Sequence, residues 1–303
     1  MPPAAEGSQR VRCKDRWLDL TRPAILGVLN VTPDSFSDGG RFGDGKGGFD
    51  LSAVESAARQ MVADGAAMLD IGGESTRPGA TPVSFDEEIR RTLPVVLRLA
   101  GLETLLSIDT RNSVVAREAI TAGCHFVNDV SGGRDPDMLR LVAHSGAGLC
   151  LMHMCGEPAT MQKSPDYQSV CDEVRVFLEQ QIERALRAGV REDQIVVDPG
   201  IGFGKRLEHN LELLRGIERV VALGFPVMIG VSRKSTIGQI TGRDVQNRVY
   251  GSVALAVLAA ERGVSIIRVH DIAATGDGLA VQQALQRAGG FPEGPRSGIR
   301  TGR

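Results

Sequence analysis

Long apolar runs are missing from this sequence. Its longest uninterrupted apolar stretch covers residues 253–260, whereas a membrane-spanning helix needs about 20 such residues. Residues 1–13 contain no apolar core of a signal peptide, and the five cysteines include no Cys-x-x-Cys pair. We therefore expect a protein without a membrane segment, whose thiols stay reduced in the cytoplasm.

An excess of charge of one sign is also missing. The 35 Lys and Arg residues nearly balance the 37 Asp and Glu residues, and the formal net charge is −2. Because nucleic-acid-binding domains usually carry a strong basic excess, this balance argues against nucleic acid as a partner. The apolar fraction of 42% is typical of a globular protein with a core. The 303 residues are enough for an enzyme-sized globule.

Eight short apolar runs alternate with amphipathic segments along most of the chain. Each run is almost continuously apolar, as parallel strands buried on both faces are. The runs cover residues 25–30, 66–72, 104–109, 125–129, 147–153, 194–198, 226–231 and 264–270. Eight strand–helix units in one domain favour an α/β fold, the single-domain (β/α)8 TIM barrel. A doubly wound open sheet is the alternative, because periodicity does not show whether a sheet closes.

Two terminal segments stand outside this pattern. Residues 1–16 are polar and irregular, and residues 289–303 are rich in Gly, Pro and Arg without periodicity. Both segments are predicted to be flexible tails. The barrel is therefore expected to span residues 17–288.

Most of the eight runs end in a polar or ionisable residue. In a barrel the carboxyl ends of the strands meet at one mouth, where catalytic groups lie. The pattern therefore predicts one polar pocket above an apolar barrel. Asp129, which follows Asn128, is an exception, since a helix cap or a hydrogen bond within its loop explains it better. The residues at the run ends are Asn30, Asp70, Asp109, Asn128, His153, Asp198, Ser232 with Lys234, and Arg268 with His270.

Several familiar sites are absent from the sequence. The glycine-rich segment DPGIGFGK (198–205) fits neither the GxxxxGK[ST] phosphate loop nor the GxGxxG fingerprint. The sequence has no HExxH and no GxSxG motif, and His153 with Cys155 alone is a poor metal pair. These absences disfavour a hydrolase, a P-loop ATPase and a dinucleotide-dependent dehydrogenase.

The remaining candidates are a mixture of acceptors and cations. Asp109, Asn128 and Asp198 come from three separate run ends. Carboxylates and amides of this kind can hold a planar heterocycle that presents adjacent N–H donors.

The last two run ends add donors. Lys234, Arg268 and His270 lie there, at the strands where TIM barrels often bind phosphate. An Arg with a nearby His suits a diphosphate, and Asn30 offers a neutral oxygen for a hydrated Mg²⁺.

Eight segments resemble the dihydropteroate synthase family, in order, between about residues 17 and 287. They are GVLNVTPDSFSDGG (27–40), DIGGESTRPGA (70–80), SIDT (107–110), VNDVSGG (127–133), LMHM (151–154), DPGIGFGK (198–205), SRKSTIG (232–238) and IIRVHD (266–271). The related pterin-binding methyltransferase domains are not expected to carry the first two loops together.

The resemblance implies a (β/α)8 barrel that joins 7,8-dihydropterin-6-ylmethyl diphosphate to 4-aminobenzoate with Mg²⁺. By resemblance, the catalytic residues are Asp38, Lys234 and Arg268. The pterin-binding residues are Asp109, Asn128, Asp198, Lys234 and Arg268. The diphosphate-binding residues are Asn30, Arg268 and His270, and Asn30 also faces the metal. The aminobenzoate-binding residues are Phe36, Thr76, Arg77, Pro78, Phe203 and Ser235.

Two other functions remain open at this point. A pterin-dependent methyltransferase module would share the pterin acids, and a catalytically silent paralogue would bind pterin without reaction. The resemblance also implies a homodimer and a sulfonamide target. The apolar stripe Val249, Val253, Val257 and Ala260 fits a dimer interface, although plain core packing produces the same pattern.

Overall fold

The computed structural model describes residues 9–32, 50–75, 79–157, 160–162 and 165–288. The strands in these ranges are β1 (Arg10–Cys13), β2 (Arg16–Asp19), β3 (Ala24–Asn30), β4 (Met68–Gly72), β5 (Leu105–Asp109), β6 (Phe126–Asp129), β7 (Gly148–Met152), β8 (Ile195–Asp198), β9 (Met228–Ile229) and β10 (Ile266–Val269). The helices there are α1 (Leu51–Ala63), α2 (Phe85–Leu99), α3 (Ser113–Ala122), α4 (Met138–Ser145), α5 (Val170–Arg187), α6 (Leu207–Arg215), α7 (Glu218–Val221), α8 (Ser235–Thr241), α9 (Val249–Glu261) and α10 (Ile272–Arg287). None of these helices is long and apolar enough to cross a membrane.

Strands β3 to β10 form one parallel sheet that curls into a barrel. The strand order is β8-β7-β6-β5-β4-β3-β10-β9. A bridge between Val197 and Val227 joins β8 to β9, and the Val197 N–H donates to the Pro226 carbonyl at 3.0 Å. This arrangement confirms the predicted (β/α)8 TIM barrel, and it excludes the open sheet. Every predicted apolar run overlaps one of the eight strands.

Both faces of the barrel strands are buried, which explains why the runs are apolar throughout. In β4, Leu69 and Ile71 belong to the large core beneath the helices, together with Val54 of α1 and Val95 of α2. Met68, on the opposite face of the same strand, belongs to a separate core. Alternate residues of a strand point to opposite faces, so this second core fills the barrel interior.

A β-hairpin seals the amino-terminal end of this interior core. Strands β1 and β2 pair antiparallel, and Val11, Cys13 and Leu18 are buried with Met68 and Phe126 in the interior core. The prediction of a flexible segment over residues 1–16 is therefore wrong from Arg10 onward. Its four-residue strands were too short for their alternation to be recognised. Residues 1–8 and 289–303 lie outside the described residues.

The apolar stripe on α9 packs within the molecule. A Cβ placed on Gly278 of α10 would lie 2.7 Å from Val253 and 3.1 Å from Val257, so these valines press against the neighbouring helix. Ala260 is buried as well. The structure therefore favours core packing over a dimer interface for this stripe.

Candidate active site

The carboxyl ends of neighbouring strands bring the predicted polar residues into one ring. In the strand register, Asn30 pairs with Gly72, Gly72 with Asp109, and Asp109 with Asn128. Asp198 closes β8 at the same end of the barrel. The predicted pocket therefore lies at the carboxyl-terminal mouth, opposite the hairpin.

Arg268 of β10 crosses the barrel interior to two carboxylates. Its Nε donates to Asp70 Oδ2 at 2.6 Å, and its Nη2 donates to Asp109 Oδ2 at 2.7 Å. Burial acts to lower the pKa of Arg268, but the two carboxylates outweigh it and raise the pKa. Arg268 is therefore a permanent cation held between two buried carboxyl groups.

The sequence places Asp70 at the end of an apolar run but predicts no role for it in the site. The structure shows that it organises the ring: it is fully buried, and it accepts hydrogen bonds from Ser107 Oγ at 2.5 Å and Asn128 Nδ2 at 3.0 Å, in addition to Arg268. These contacts fix the orientation of the Asn128 amide. The only sequence signal was the position of Asp70 at the end of an apolar run.

Asp109 keeps one unsatisfied acceptor. Its Oδ1 is buried without a hydrogen-bond partner among the described residues. Burial raises the pKa of Asp109 to about 7, because the opposing effect of Arg268 is smaller. A buried, unpaired carboxylate oxygen is costly unless a ligand satisfies it. Asp109 therefore suits a ligand that presents an N–H donor.

Asp198 is held by the start of the glycine-rich loop. Its Oδ1 accepts from the Gly200 N–H at 2.7 Å. Burial raises the pKa of Asp198, and Lys234 is the strongest opposing influence. The other carboxylate oxygen, Oδ2, is thus available to an N–H donor of a ligand.

Lys234 lies against the loop that follows β8. Its Nζ donates to the Ile201 carbonyl and sits 4.5 Å from the centre of the Phe203 ring. Burial lowers the pKa of Lys234 to about 8, although Asp198 opposes the shift. Ser235 follows as the first residue of α8 and is exposed beside a cavity of about 430 Å³.

The segment after β9 is fixed to the end of β10. The Ser232 hydroxyl accepts from the His270 N–H at 3.2 Å and lies 3.1 Å from His270 Nδ1. Arg233 pairs with Asp271 at 2.6 and 3.0 Å, although its φ of +58° falls in the left-handed region that disfavours side chains. The contacts with Ser232 orient the His270 ring, two residues after Arg268.

A family model and several known proteins match most of this chain. Residues 26–270 match the family model described as pterin binding enzyme. The dihydropteroate synthase of Haemophilus influenzae is 40% identical over 92% of this chain and 100% of that protein. The chain belongs to the dihydropteroate synthase family.

Solved dihydropteroate synthase structures share the fold. The Xanthomonas albilineans enzyme with 4-aminobenzoic acid is 44% identical, with a TM-score of 0.85 over 92% of this chain and 98% of that chain. The Yersinia pestis enzyme in a sulfonamide drug complex is 42% identical, with a TM-score of 0.87 over 92% of this chain and 99% of that chain.

Five residues expected from the family resemblance lie outside the described residues. They are Phe36, Asp38, Thr76, Arg77 and Pro78. Their roles stay predictions.

The prediction for Asp129 is confirmed. Its carboxylate accepts hydrogen bonds from the Ser131 N–H, the Ser131 hydroxyl and the Gly133 N–H at 2.7–2.8 Å. All of these donors belong to the loop that follows β6. Asp129 therefore shapes that loop, as expected.

Sequence reasoning missed an ion-pair network at the rim of the mouth. Arg111 binds Glu74 through two bonds of 3.1 Å and Glu157 through one of 2.6 Å, and Arg134 binds Glu157 at 3.1 Å. These side chains link the segments after β4, β5, β6 and β7. Their sequence positions gave no signal, because only barrel closure places those segments side by side.

Proposed function

We propose that this chain condenses 7,8-dihydropterin-6-ylmethyl diphosphate with 4-aminobenzoate, releasing 7,8-dihydropteroate and diphosphate in folate biosynthesis. Membership of the dihydropteroate synthase family supports the activity. The observation that carries the assignment of the site is the ring of buried polar groups in which Arg268 joins Asp70 and Asp109. Among the described residues, the ring holds one unsatisfied acceptor, Asp109 Oδ1, together with the side chains of Lys234 and Arg268, and this combination fits an N–H-rich heterocycle carrying a diphosphate.

The pterin is held by the acceptors of the ring. Asp198 receives the adjacent N–H donors of the pyrimidine edge, and Asp109 offers its unpaired Oδ1 to another donor. Asn128, fixed by Asp70, contributes its amide oxygen. Lys234 lies next to Asp198 and contacts an acceptor atom of the ring system.

The diphosphate lies over the last strand. Arg268 and His270 both come from its carboxyl end, and Ser232 orients the imidazole. Charge-assisted hydrogen bonds from these groups become stronger as negative charge grows on the leaving group.

Mg²⁺ suits the oxygen donors above β4. A Cβ placed on Gly72 would lie 3.3 Å from Asn30 Oδ1 and 3.7 Å from Asp109 Oδ2, so two hard oxygens face one small space. In the described part of the chain, no group of three or more His, Cys, Asp or Glu could hold a metal. Asn30 would therefore hold a hydrated ion together with the diphosphate, as Mg²⁺ prefers. When bound, the ion would neutralise charge on the leaving group.

The 4-aminobenzoate lies between the glycine-rich loop and α8. Phe203, whose ring packs against Lys234, supplies an aromatic side chain from the loop, and Ser235 supplies a hydroxyl from the start of α8. Phe36, Thr76, Arg77 and Pro78 complete this part of the site on the family resemblance.

The reaction is a dissociative substitution. The bond between the pterin methylene carbon and the diphosphate oxygen breaks, and its electron pair leaves with the diphosphate. Asp109 and Asp198 stabilise the pterin-methyl cation, and the family resemblance assigns Asp38 a part in closing the reacting centre. The neutral amine of 4-aminobenzoate then forms the carbon–nitrogen bond and loses a proton. An aniline nitrogen is nucleophilic without an activating base, so this step requires no activated side chain of the enzyme.

Diphosphate release tests the function. We expect the purified protein, given both substrates and Mg²⁺, to form dihydropteroate and diphosphate in equal amounts. A methyltransferase module would ignore diphosphate and depend on a methyl-corrinoid partner, whereas a silent paralogue would bind pterin without turnover. Covalent capture of an enzyme side chain by the pterin would contradict the dissociative step.

The compartment and the assembly form part of the same proposal. All five cysteines are free thiols, which suits the reducing cytoplasm. We infer a homodimer through apolar side chains that α9 and α10 leave exposed, which are Tyr250, Leu258, Val281 and Leu285. Light scattering that gave the mass of a single chain would contradict the dimer.

A further inference from the structure

Lys205 is a buried amine to which the proposed chemistry assigns no task, and burial lowers its pKa to about 7 although Asp198 opposes the shift. It ends the DPGIGFGK segment, and only 3% of its surface is exposed. Its Nζ donates to the carbonyls of Gly200 at 2.9 Å and Phe203 at 3.1 Å, and it lies 2.9 Å from His153 Nδ1. An ammonium has three N–H donors, and these three partners use all of them. Burial lowers the pKa of His153 to about 2, so the ring stays neutral and its Nδ1 can accept.

The loop around Lys205 is shaped by close backbone contacts. Gly200, Gly202 and Gly204 all have positive φ angles, between +62° and +83°. A Cβ on Gly200 would lie 1.9 Å from the His153 carbonyl oxygen, and one on Gly204 would lie 2.6 Å from the Cys155 carbonyl oxygen. The loop therefore lies tightly on the segment that follows β7, with two of its carbonyls turned towards the Lys205 ammonium.

The same loop sets the position of Lys234. Ile201, whose carbonyl accepts from Lys234 Nζ, lies between the two residues whose carbonyls bind Lys205. The Phe203 ring packs under Lys234 Nζ, and a Cβ on Gly202 would come within 3.1 Å of Lys234 Cδ. A shift of this loop would therefore move both the Lys234 ammonium and the Phe203 ring.

We propose that Lys205 is a positioning residue for the synthase reaction: from inside the glycine-rich loop, it fixes the Ile201 carbonyl and the Phe203 ring that hold Lys234. Lys205 does not touch the substrates; it acts through the loop. The proposal rests on the proposed function, since Lys234 and Phe203 have their roles in that reaction.

The loop has other anchors, so its attachment to the barrel does not depend on Lys205 alone. The Gly202 N–H donates to Asn210 Oδ1 at 2.7 Å, and Gln162 Nε2 donates to the Gly202 carbonyl at 2.9 Å. Both contacts lie at the middle of the loop. Without Lys205, the loop would stay attached at Gly202 while the carbonyls of Gly200 and Phe203 could turn.

The test is a double-mutant cycle between Lys205 and Lys234. Lys205→Gln retains two N–H donors without the third or the charge, and Lys205→Met retains none. We expect Lys205→Gln to lower kcat by roughly 10- to 100-fold, because small misplacements of catalytic groups have effects of this size. The KM for 4-aminobenzoate should rise as well, and Lys205→Met should have the larger effect. In a Lys234→Met background, Lys205→Gln should change kcat by less than about twofold, since groups that act through one another are not additive.

Lys14→Met is the matched control. Lys14 Nζ also donates to a backbone carbonyl, that of Ile120 at 3.3 Å, but Lys14 lies in the turn of the hairpin at the other end of the barrel. This variant should keep the kinetic constants of the parent protein.

Three outcomes would overturn the positioning role. They are unchanged kinetics in a folded Lys205→Gln variant, additive effects of the Lys205 and Lys234 substitutions, and failure of both Lys205 variants to fold, which would make the role purely structural. Absence of diphosphate release by the parent protein would overturn the proposed function itself, and the positioning role with it.

Discussion

The two ends of the barrel differ although the same strands build both. At the amino-terminal end, Met68, Leu105 and Phe126 fill the interior beneath the hairpin. On β4, Asp70 lies two residues after Met68 and on the same face. On β5, the interior residue Leu105 is followed on the same face by Ser107 and then by Asp109. Two residues of a strand span about 6.6 Å, so the interior changes from apolar to charged within one side-chain layer.

The two ends of the strands therefore have different roles, since one end stabilises the fold and the other carries the candidate active site. The apolar layer is sealed from water and supplies the hydrophobic contribution to folding. The polar layer contains buried charges that destabilise the folded state unless they are paired or bind a ligand. Substitutions at the two ends should therefore have opposite profiles, with stability affected at one end and turnover at the other.

Phe126→Ala should have the largest effect on stability. The ring is fully buried in the amino-terminal layer and packs closely on Gly148, where a Cβ would lie 2.4 Å away. We expect a loss of about 3–5 kcal/mol in the free energy of unfolding, from lost burial and an unfilled cavity. Chemical denaturation measures this loss. At a temperature where the variant is folded, its kcat should stay within about twofold of the parent, because distant sites act independently; a much larger fall would show that the ends are coupled.

Asp198→Asn should give the reverse profile. The shape of the side chain is kept, but one acceptor oxygen for the pterin becomes a donor and the anion is lost. We expect kcat/KM to fall by about 10²–10³-fold, the usual effect of removing a charged group aimed at the reacting centre. Thermal unfolding should show no loss of stability, since a buried charge is removed. Asp64→Asn, beyond the amino-terminal end, is the control and should leave both quantities unchanged.

The pH dependence of stability should distinguish the ends as well. The folded-state pKa of Asp109 is raised to about 7 from its ordinary value of 3.8, so between these pH values the folded protein binds a proton that the unfolded chain has released. The stabilisation of the folded state by Asp109 therefore decreases as the pH rises from about 4 to 7, and it is constant above pH 7. Arg268, Asp70, Glu88 and Glu74 are the charged groups that influence it.

Asp109→Asn checks this dependence. Thermal unfolding is measured for both proteins at pH 5 and pH 8. The unfolding temperature of the variant, relative to that of the parent, should be higher at pH 8 than at pH 5. An equal difference at both pH values would contradict the assignment of the slope to Asp109.

The smallest effects should come from two residues with left-handed backbones. Lys14 in the hairpin turn and Arg233 beside the active site have φ angles of +60° and +58°. Substitution by glycine relieves a strain of about 1 kcal/mol in the folded state, and increases the freedom of the unfolded chain. Both variants should therefore unfold within about 1 kcal/mol of the parent.

Activity should separate these two variants. Lys14→Gly should keep the parent kcat. Arg233→Gly loses the ion pair with Asp271, which holds the backbone between Ser232 and Lys234. We expect its kcat, measured by steady-state kinetics, to fall several-fold. A kcat equal to that of the parent would show that only the backbone conformation at Arg233 matters, and not the ion pair.

Much of the fold was predictable because buried parallel strands leave an almost unbroken apolar run. The runs also end where the barrel opens, so Asn30, Asp109, Asn128, Asp198 and Arg268 could be placed at one mouth. The length of β9 could not be predicted: the apolar run covers residues 226–231, yet only Met228–Ile229 are strand. Pro226 has no N–H to offer a ladder, which helps to explain the shortening.

Contacts between distant parts of the chain could not be predicted. The Arg268–Asp70 pair joins residues 198 positions apart, and it exists only because the barrel closes. The role of Lys205 depends on carbonyl directions set by three glycines with positive φ. A sequence shows which residues are present, but not which way a loop carbonyl points. The roles of Phe36, Asp38, Thr76, Arg77 and Pro78 still rest on the family resemblance.

The single bridge between Val197 and Val227 makes one side of the barrel wall a seam. The strands beside it lead into the two segments that carry Asp198 and Lys234. Local opening at this bridge would separate Asp198 from Lys234. The other strand pairings, which have longer ladders, would stay formed. Backbone amides along the seam should therefore exchange hydrogen sooner than those of β3 and β4, and a ligand that spans both segments should slow that exchange.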